Sequence, residues 1–266
     1  MIYTLENDQA ILKVDTKACE IASFRRKDKD IEYMWNGDPA YWTGRNPVLF
    51  PHVSAPKNKI LNFKGKDFKV GNHGFARRSE FTFLKQTRDT LSFLLEDSEK
   101  TYEEYPYHFR LQVDYRLDGA EAEISYSISS SEDIVFGFGL HPAFNCPLAE
   151  GRSFDDYRVE FDADDVEGGR LDLSYGLFDR YPTYVVDKVK SRSFLLTDGE
   201  NGVRLRTGEG FNIFALWTPH APFVCLEPWV GEIDASDETT PFEQREGNIH
   251  LPKGATFDIR YSIELV

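Results

Sequence analysis

The chain alternates apolar and polar residues at period two. From Phe109 to Leu117 every odd position is apolar and every even one polar. Ala122, Ile124, Tyr126 and Ile128 then alternate with Glu123, Ser125, Ser127 and Ser129. Such alternation turns one face of a strand toward a core and the other toward water. Asp118-Gly119 between the runs tolerates the positive φ of a tight turn, so the spacing predicts a β-hairpin. The C-terminus repeats the pattern, with Phe257, Ile259, Tyr261, Ile263 and Leu265 on one side. Weaker strand signals lie at 11–14, 81–84, 91–95, 159–161, 194–196, 203–206 and 223–226. No 3.6-residue apolar period persists over twelve residues, and only short helical turns are predicted, at 38–42 and 241–245. Neither an internal repeat nor a Gly/Ser/Pro-rich linker divides the chain. The expectation is an all-β protein, one large antiparallel β-sandwich domain over residues 1–266.

Composition narrows the choice of ligand. With 266 residues the chain can bury a large core. Aromatics reach 14% against two methionines, a bias that suits sheets and sugar-facing pockets better than helix bundles. The net charge of -14 makes nucleic acid and anionic membrane surfaces poor partners. A neutral small molecule fits more easily, and an anionic one needs a local arginine cluster. The longest apolar stretch, 134–140, is far short of the roughly 20 residues that cross a bilayer. Residues 1–13 lack the basic start and apolar stretch of a secretory signal. Cys19, Cys146 and Cys225 are odd in number and far apart, which fits reduced thiols in a cytoplasmic protein. Oligomeric state is left between monomer and homodimer. The sign-alternating run 25–30 reads as a solvated hairpin tip. The acidic run 162–165 lacks the glycine and distal glutamate of an EF-hand and reads as a solvated loop.

Four segments break the alternation: Gly44-Arg45-Asn46-Pro47-Val48-Leu49-Phe50-Pro51, Asn72-His73-Gly74-Phe75-Ala76-Arg77, Gly139-Leu140-His141-Pro142-Ala143-Phe144-Asn145 and Cys225-Leu226-Glu227-Pro228-Trp229-Val230-Gly231. Each sets a His, Arg or Glu beside Gly or Pro, where a strand ends and the backbone is fixed. Glu227 follows the apolar 223–226 run, where a carboxylate is costly unless paired. A surface glutamate at a strand end is the plainer reading of that residue alone, as a core histidine is for His141. Arg45 and Arg77 serve equally as structural ion-pair partners, and Arg78 is expected to face solvent. The chain has no His-x-His, no His-Glu-x-x-His, no phosphate loop, no dinucleotide fingerprint and no Gly-x-Ser-x-Gly elbow. No metal or cofactor is therefore expected.

Together the four segments resemble the aldose 1-epimerase (galactose mutarotase) superfamily, and within it the branch of LacX-like proteins and hexose-6-phosphate mutarotase relatives. His-Gly-Phe-Ala-Arg at 73–77 and His-Pro-Ala-Phe-Asn at 141–145 carry the resemblance, with Trp217 ten residues before Glu227. It implies a sandwich of large twisted sheets with a sugar cleft and an anomer-interconverting activity. It also implies Glu227 as general base, His141 as general acid, His73 as a second active-site histidine and Arg45 as a substrate contact. Phe75 and Arg77 stand where galactose mutarotases carry a Gly-Gly type sequence. Asp179 is the candidate for the aspartate that holds sugar hydroxyls.

The residue types suit that chemistry independently. Anomerisation takes a proton from the C1 hydroxyl and delivers one to the ring oxygen, tasks for a carboxylate and an imidazole near neutral pH. The two are expected to straddle a pyranose, with an ionised Glu227 favouring the imidazolium form of His141. Phe75, Phe144, Trp42 and Trp229 are candidates for a flat sugar-stacking face. Arg77 with Arg45 suggests a cationic pocket for a phosphorylated or acidic sugar. The competing function is a non-catalytic carbohydrate-binding or sensing protein with the same cleft. A glycosidase is disfavoured because the resemblance supplies one carboxylate, not a pair.

Overall fold

The computed structural model describes residues 1–231 and 240–266. The expected hairpin forms: Arg110–Asp118 pairs antiparallel with Glu121–Ser129, Asp118 opposite Glu121, and Gly119 turns at φ 58°. Leu111, Val113, Tyr115 and Leu117 are buried together with Ala122, Ile124, Tyr126 and Ile128. The C-terminal strand Thr256–Leu265 pairs with Glu121–Ser129 on its other edge. These three form the middle of a nine-stranded antiparallel sheet. Thr90–Glu96 and Thr82–Gln86 continue it on one side. Gly202–Thr207, Ser193–Thr197, Arg158–Phe161 and Arg170–Asp172 continue it on the other.

A smaller sheet faces it, running Thr183–Asp187, Ile213–Trp217, Phe223–Val230, Phe138–Leu140 and Val48–Leu49, with Ala143–Asn145 also on Phe223–Val230. A four-stranded meander, Ile2–Glu6 to Ala10–Asp15 to Glu20–Arg26 to Ile31–Glu32, extends the second layer. Aromatic side chains join the layers: Phe194 stacks on Phe214 at 3.6 Å, and Tyr126 meets Phe138 at 5.1 Å. Asn46 Nδ2 donates to the hydroxyl of Tyr261 across the same interface at 3.0 Å. The 25–30 run is the tip between Glu20–Arg26 and Ile31–Glu32, closed by Arg26 on Asp28.

All seven weaker strand signals fall on strands. The strand Ile213–Trp217 carried no alternation to find, because Ile-Phe-Ala-Leu-Trp is apolar on both faces and buried on both. Helix is confined to short pieces, Tyr175–Arg180 being six residues long. At 38–42 a single turn forms, both Tyr41 and Trp42 donating to the Asp38 carbonyl, and Phe242–Gln244 is one 3-10 turn. Among the described residues no helix is long and apolar enough to cross a membrane. The three cysteines are free and buried.

The smaller sheet is what creates a site. On Phe223–Val230, Val224 and Leu226 point into the main core between the sheets. Phe223 and Cys225 pack with Trp35, Ala143 and Ala221, and Trp229 packs with Leu49, Val53 and Ala215, both outside that core. Period two therefore hands Phe223, Cys225, Glu227 and Trp229 to the second, outer face of the sheet.

Candidate active site

Glu227 lies on that outer face, 1% exposed, between Cys225 and Trp229. Its cross-strand partner is Ala215. Cross-strand neighbours are the closest side chains on a sheet face, and the methyl group leaves room above the carboxylate. Burial pushes the Glu227 carboxyl well above its usual range, opposed by the charge of Arg77 and by the Trp229 indole. The indole N–H nonetheless completes no hydrogen bond, and neither does Glu227 Oε2.

His141 reaches the same spot from a corner. Gly139 is paired with Trp229 and Ala143 with Cys225, so the chain between them crosses over Glu227. Leu226 N–H donates to the Pro142 carbonyl at 3.0 Å and fixes that crossing. His141 Nε2 ends 3.2 Å from Glu227 Oε2, and the imidazole is 6% exposed. Trp42 stacks over the ring at 4.8 Å, and Trp217 meets it edge-on at 5.6 Å. Burial pushes the imidazole below its usual value, and the positive charge of Arg77 acts the same way.

Burial thus pushes Glu227 toward its protonated form and His141 toward its neutral form, the opposite directions to the expected carboxylate and imidazolium. The two descriptions differ only by one proton moved across 3.2 Å. A dry surrounding prefers the uncharged arrangement of such a pair. The geometry also replaces the expected straddle: the two groups sit side by side.

His73 joins them, its ring edge-on to His141 at 5.7 Å. Ser54 holds it twice: His73 N–H donates to the Ser54 carbonyl at 2.8 Å, and Ser54 N–H donates to Nδ1 at 3.0 Å. With Nδ1 accepting, the neutral ring carries its hydrogen on Nε2. Burial, with the charge of Arg77, pushes His73 down to about 3, so it stays neutral and serves as a donor. Gly74 continues the turn at φ 70°, where an added Cβ would lie 2.1 Å from the Phe50 carbonyl oxygen. Its N–H donates to His52 Nε2 at 3.1 Å. Arg78 is exposed as expected, but it also braces this loop, donating from Nη1 to the Gly74 carbonyl and from Nη2 to Glu104.

Arg77 is a cation of the site without a partner among the described residues. It makes no hydrogen bond or ion pair with the described residues, yet its charge is felt by Glu227, Glu20, His73 and His141. Arg45 is placed differently. Its Nε donates to the Asn36 carbonyl at 3.0 Å and Nη1 lies 3.9 Å from Asp15. Among the described residues its side chain bonds to none of His73, His141 or Glu227. Asp179, on the helix Tyr175–Arg180, is exposed and pairs with His220 at 3.2 Å. Of the four flat faces proposed for sugar, Trp42 and Trp229 lie on the site side, while Phe75 and Phe144 belong to the main core.

Glu20 was not visible in the sequence, where it is one polar residue in a short strand. It is buried and accepts from the backbone N–H of Arg45 and Asn46 at 3.0 and 3.3 Å. Burial raises its pKa, while those donors and the charges of Arg45 and Arg77 pull it back. The Arg77 guanidinium is thus balanced between two buried carboxyl groups.

Residues 1–263 match the family described as Aldose 1-epimerase. The LacX protein of Lactococcus lactis subsp. lactis is 30% identical over 279 residues, covering 92% of this chain and 93% of the relative. A galactose mutarotase related enzyme from Lactobacillus acidophilus superimposes with a TM-score of 0.92 at 29% identity, covering 100% of this chain and 97% of that one. A galactose mutarotase-like protein from Lactobacillus casei gives 0.92 at 25% identity over the whole of both chains. The chain belongs to the aldose 1-epimerase family and shares its galactose mutarotase-like, all-β fold, and its function is of the mutarotase type.

Proposed function

We propose that the protein is an aldose 1-epimerase that interconverts the α and β anomers of an aldohexose or a derivative of one. Glu227 is the general base and His141 the general acid. The observation that carries the reading is their 3.2 Å contact on the buried outer face of the sheet. The hydroxyl oxygen and the ring oxygen of a pyranose are bonded to the same carbon, C1. Acid and base must therefore be neighbours, not opposite walls.

In the cycle, Glu227 takes the proton of the C1 hydroxyl while His141 gives its proton to the ring oxygen. The C1–O5 bond breaks and the aldehyde forms. The proton has then passed, through the sugar, from histidine to glutamate. After rotation about C1–C2, O5 attacks the other face of the carbonyl, His141 recovers its proton and Glu227 returns one to O1. The open-chain stage thus corresponds to the neutral pair that burial favours, and the Arg77 charge keeps the carboxylate form within reach. Nε2–H of His73 is available to a sugar oxygen, and each well-placed acid–base group contributes about 10²- to 10⁴-fold.

Polarimetry on freshly dissolved α-D-glucose and its 6-phosphate tests this. Acceleration by the wild type that is lost in Glu227→Gln supports the reading. Sugar binding without acceleration would make the chain a carbohydrate-binding protein that uses the same cleft.

A further inference from the structure

A second use of the same pocket follows from a side chain the reaction leaves idle. Cys225 and Glu227 are two residues apart on one strand, so both project from the same face. A ring nitrogen of His141, Cys225 Sγ and a Glu227 carboxylate oxygen all lie within 4.8 Å of one another, and all three residues are buried. Among the described residues Glu227 Oε2 has no hydrogen-bond partner. Linear spacing does not reveal this set, because His141 arrives from another segment 84 positions before Cys225 (225 − 141).

We propose that His141, Cys225 and Glu227 form a binding site for a borderline-soft divalent cation, Zn²⁺ foremost, and that metal and sugar exclude each other there. Zinc takes nitrogen, sulfur and carboxylate oxygen in tetrahedral array, with bonds of about 2.0–2.3 Å and so ligand–ligand edges of about 3.4 Å. The 3.2 Å between His141 Nε2 and Glu227 Oε2 is already such an edge, and the thiol has to move in by roughly 1 Å. Three protein ligands leave a fourth position for water. Thiolate and carboxylate together balance the two charges of the ion, and the neighbouring Arg77 weakens the site without abolishing it.

Binding breaks the S–H bond of Cys225, forms the sulfur–metal bond and sends the proton to solvent. A second proton leaves if Glu227 is protonated, so affinity rises with pH. An ion held this way occupies both the acid and the base. Metal uptake does not depend on the proposed activity; only its inhibitory effect rests on that reading.

Cobalt(II) titration of the full chain provides the test, because a thiolate ligand gives a charge-transfer absorption and four-coordination gives intense visible bands. The expected result is one cobalt per chain with the thiolate band, displaced by zinc. In Cys225→Ala and Cys225→Ser the band disappears and uptake weakens by at least about 100-fold, while Cys146→Ala changes neither. Zinc slows glucose anomerisation by the wild type but not by Cys225→Ala, whose metal-free rate is unchanged. Absence of the band, or a band that survives Cys225→Ala, overturns the site. Thiolate ligation without loss of turnover overturns the exclusion of sugar by metal. A wild type that binds cobalt through Cys225 but never accelerates anomerisation leaves the metal site standing and removes the proposed activity instead.

Discussion

His141 Nε2 and Glu227 Oε2 are in contact at 3.2 Å, and both belong to side chains almost wholly withdrawn from water. Neither charge state of one is independent of the other. Ionisable groups in such close contact act as a unit. Glu227→Gln and His141→Asn should each lower the rate of anomerisation by about 10²- to 10⁴-fold, and the double variant should lose little more than the worse single one. NMR of sugar anomers in exchange measures all three; multiplicative losses would show that the residues act separately.

The pH profile should follow the proton count of the pair. Turnover needs one proton between the two groups. On the acid side a second proton goes to His141, whose pKa is held below its usual 6.5. On the alkaline side the last proton leaves Glu227, whose carboxyl is held well above its usual 4.5. Arg77 lowers the proton affinity of both. Arg77→Met should therefore move both limbs of the kcat profile of a neutral sugar to higher pH. Limbs that stay in place or move down would separate Arg77 from the pair.

A half-buried guanidinium, Arg77, with no partner among the described residues also invites an anionic substituent. Arg77→Ala should raise KM for glucose 6-phosphate at least about 10-fold more than for glucose, the loss of one charge-assisted contact. Equal effects on the two sugars would assign Arg77 to the acid–base pair alone.

The His73 turn should be intolerant of a single added methyl group. Gly74→Ala places a Cβ 2.1 Å from the Phe50 carbonyl oxygen in a backbone conformation that disfavours it. The left-handed conformation and the overlap together should cost about 2–4 kcal/mol, read from urea unfolding. His73 should leave its position against Ser54, so activity should fall in the fraction that remains folded.

Much of this architecture was legible in the linear pattern, and the rest was hidden for definable reasons. Strands with one wet face, such as Arg110–Asp118, announce themselves by alternation. Ile213–Trp217 does not, because both its faces are dry. His73, His141 and Glu227 were found as residues that interrupt a strand pattern beside Gly or Pro, and the fold does bring them together. Arg45 carries the same local signature, but its side chain is turned to Asn36 and Asp15, a choice made by the loop that faces it. Glu20 matters through neighbours far along the chain, so no local pattern marks it, and Cys225, although inside the fourth segment, meets His141 only in the fold. Residue type sets a usual pKa, and only burial shows in which direction Glu227 and His141 are displaced from it.

One arrangement gives the protein a signal of its own. Trp42 is one of four tryptophans, and it stacks on the imidazole of His141 at 4.8 Å, the ring that in turn touches Glu227. A hexose that reaches the acid–base pair has to part those two rings, and an indole removed from a contacting imidazole changes its emission. Occupancy of the cleft should thus be readable by fluorescence without any label, and the response should vanish in Trp42→Phe while the other three indoles continue to emit.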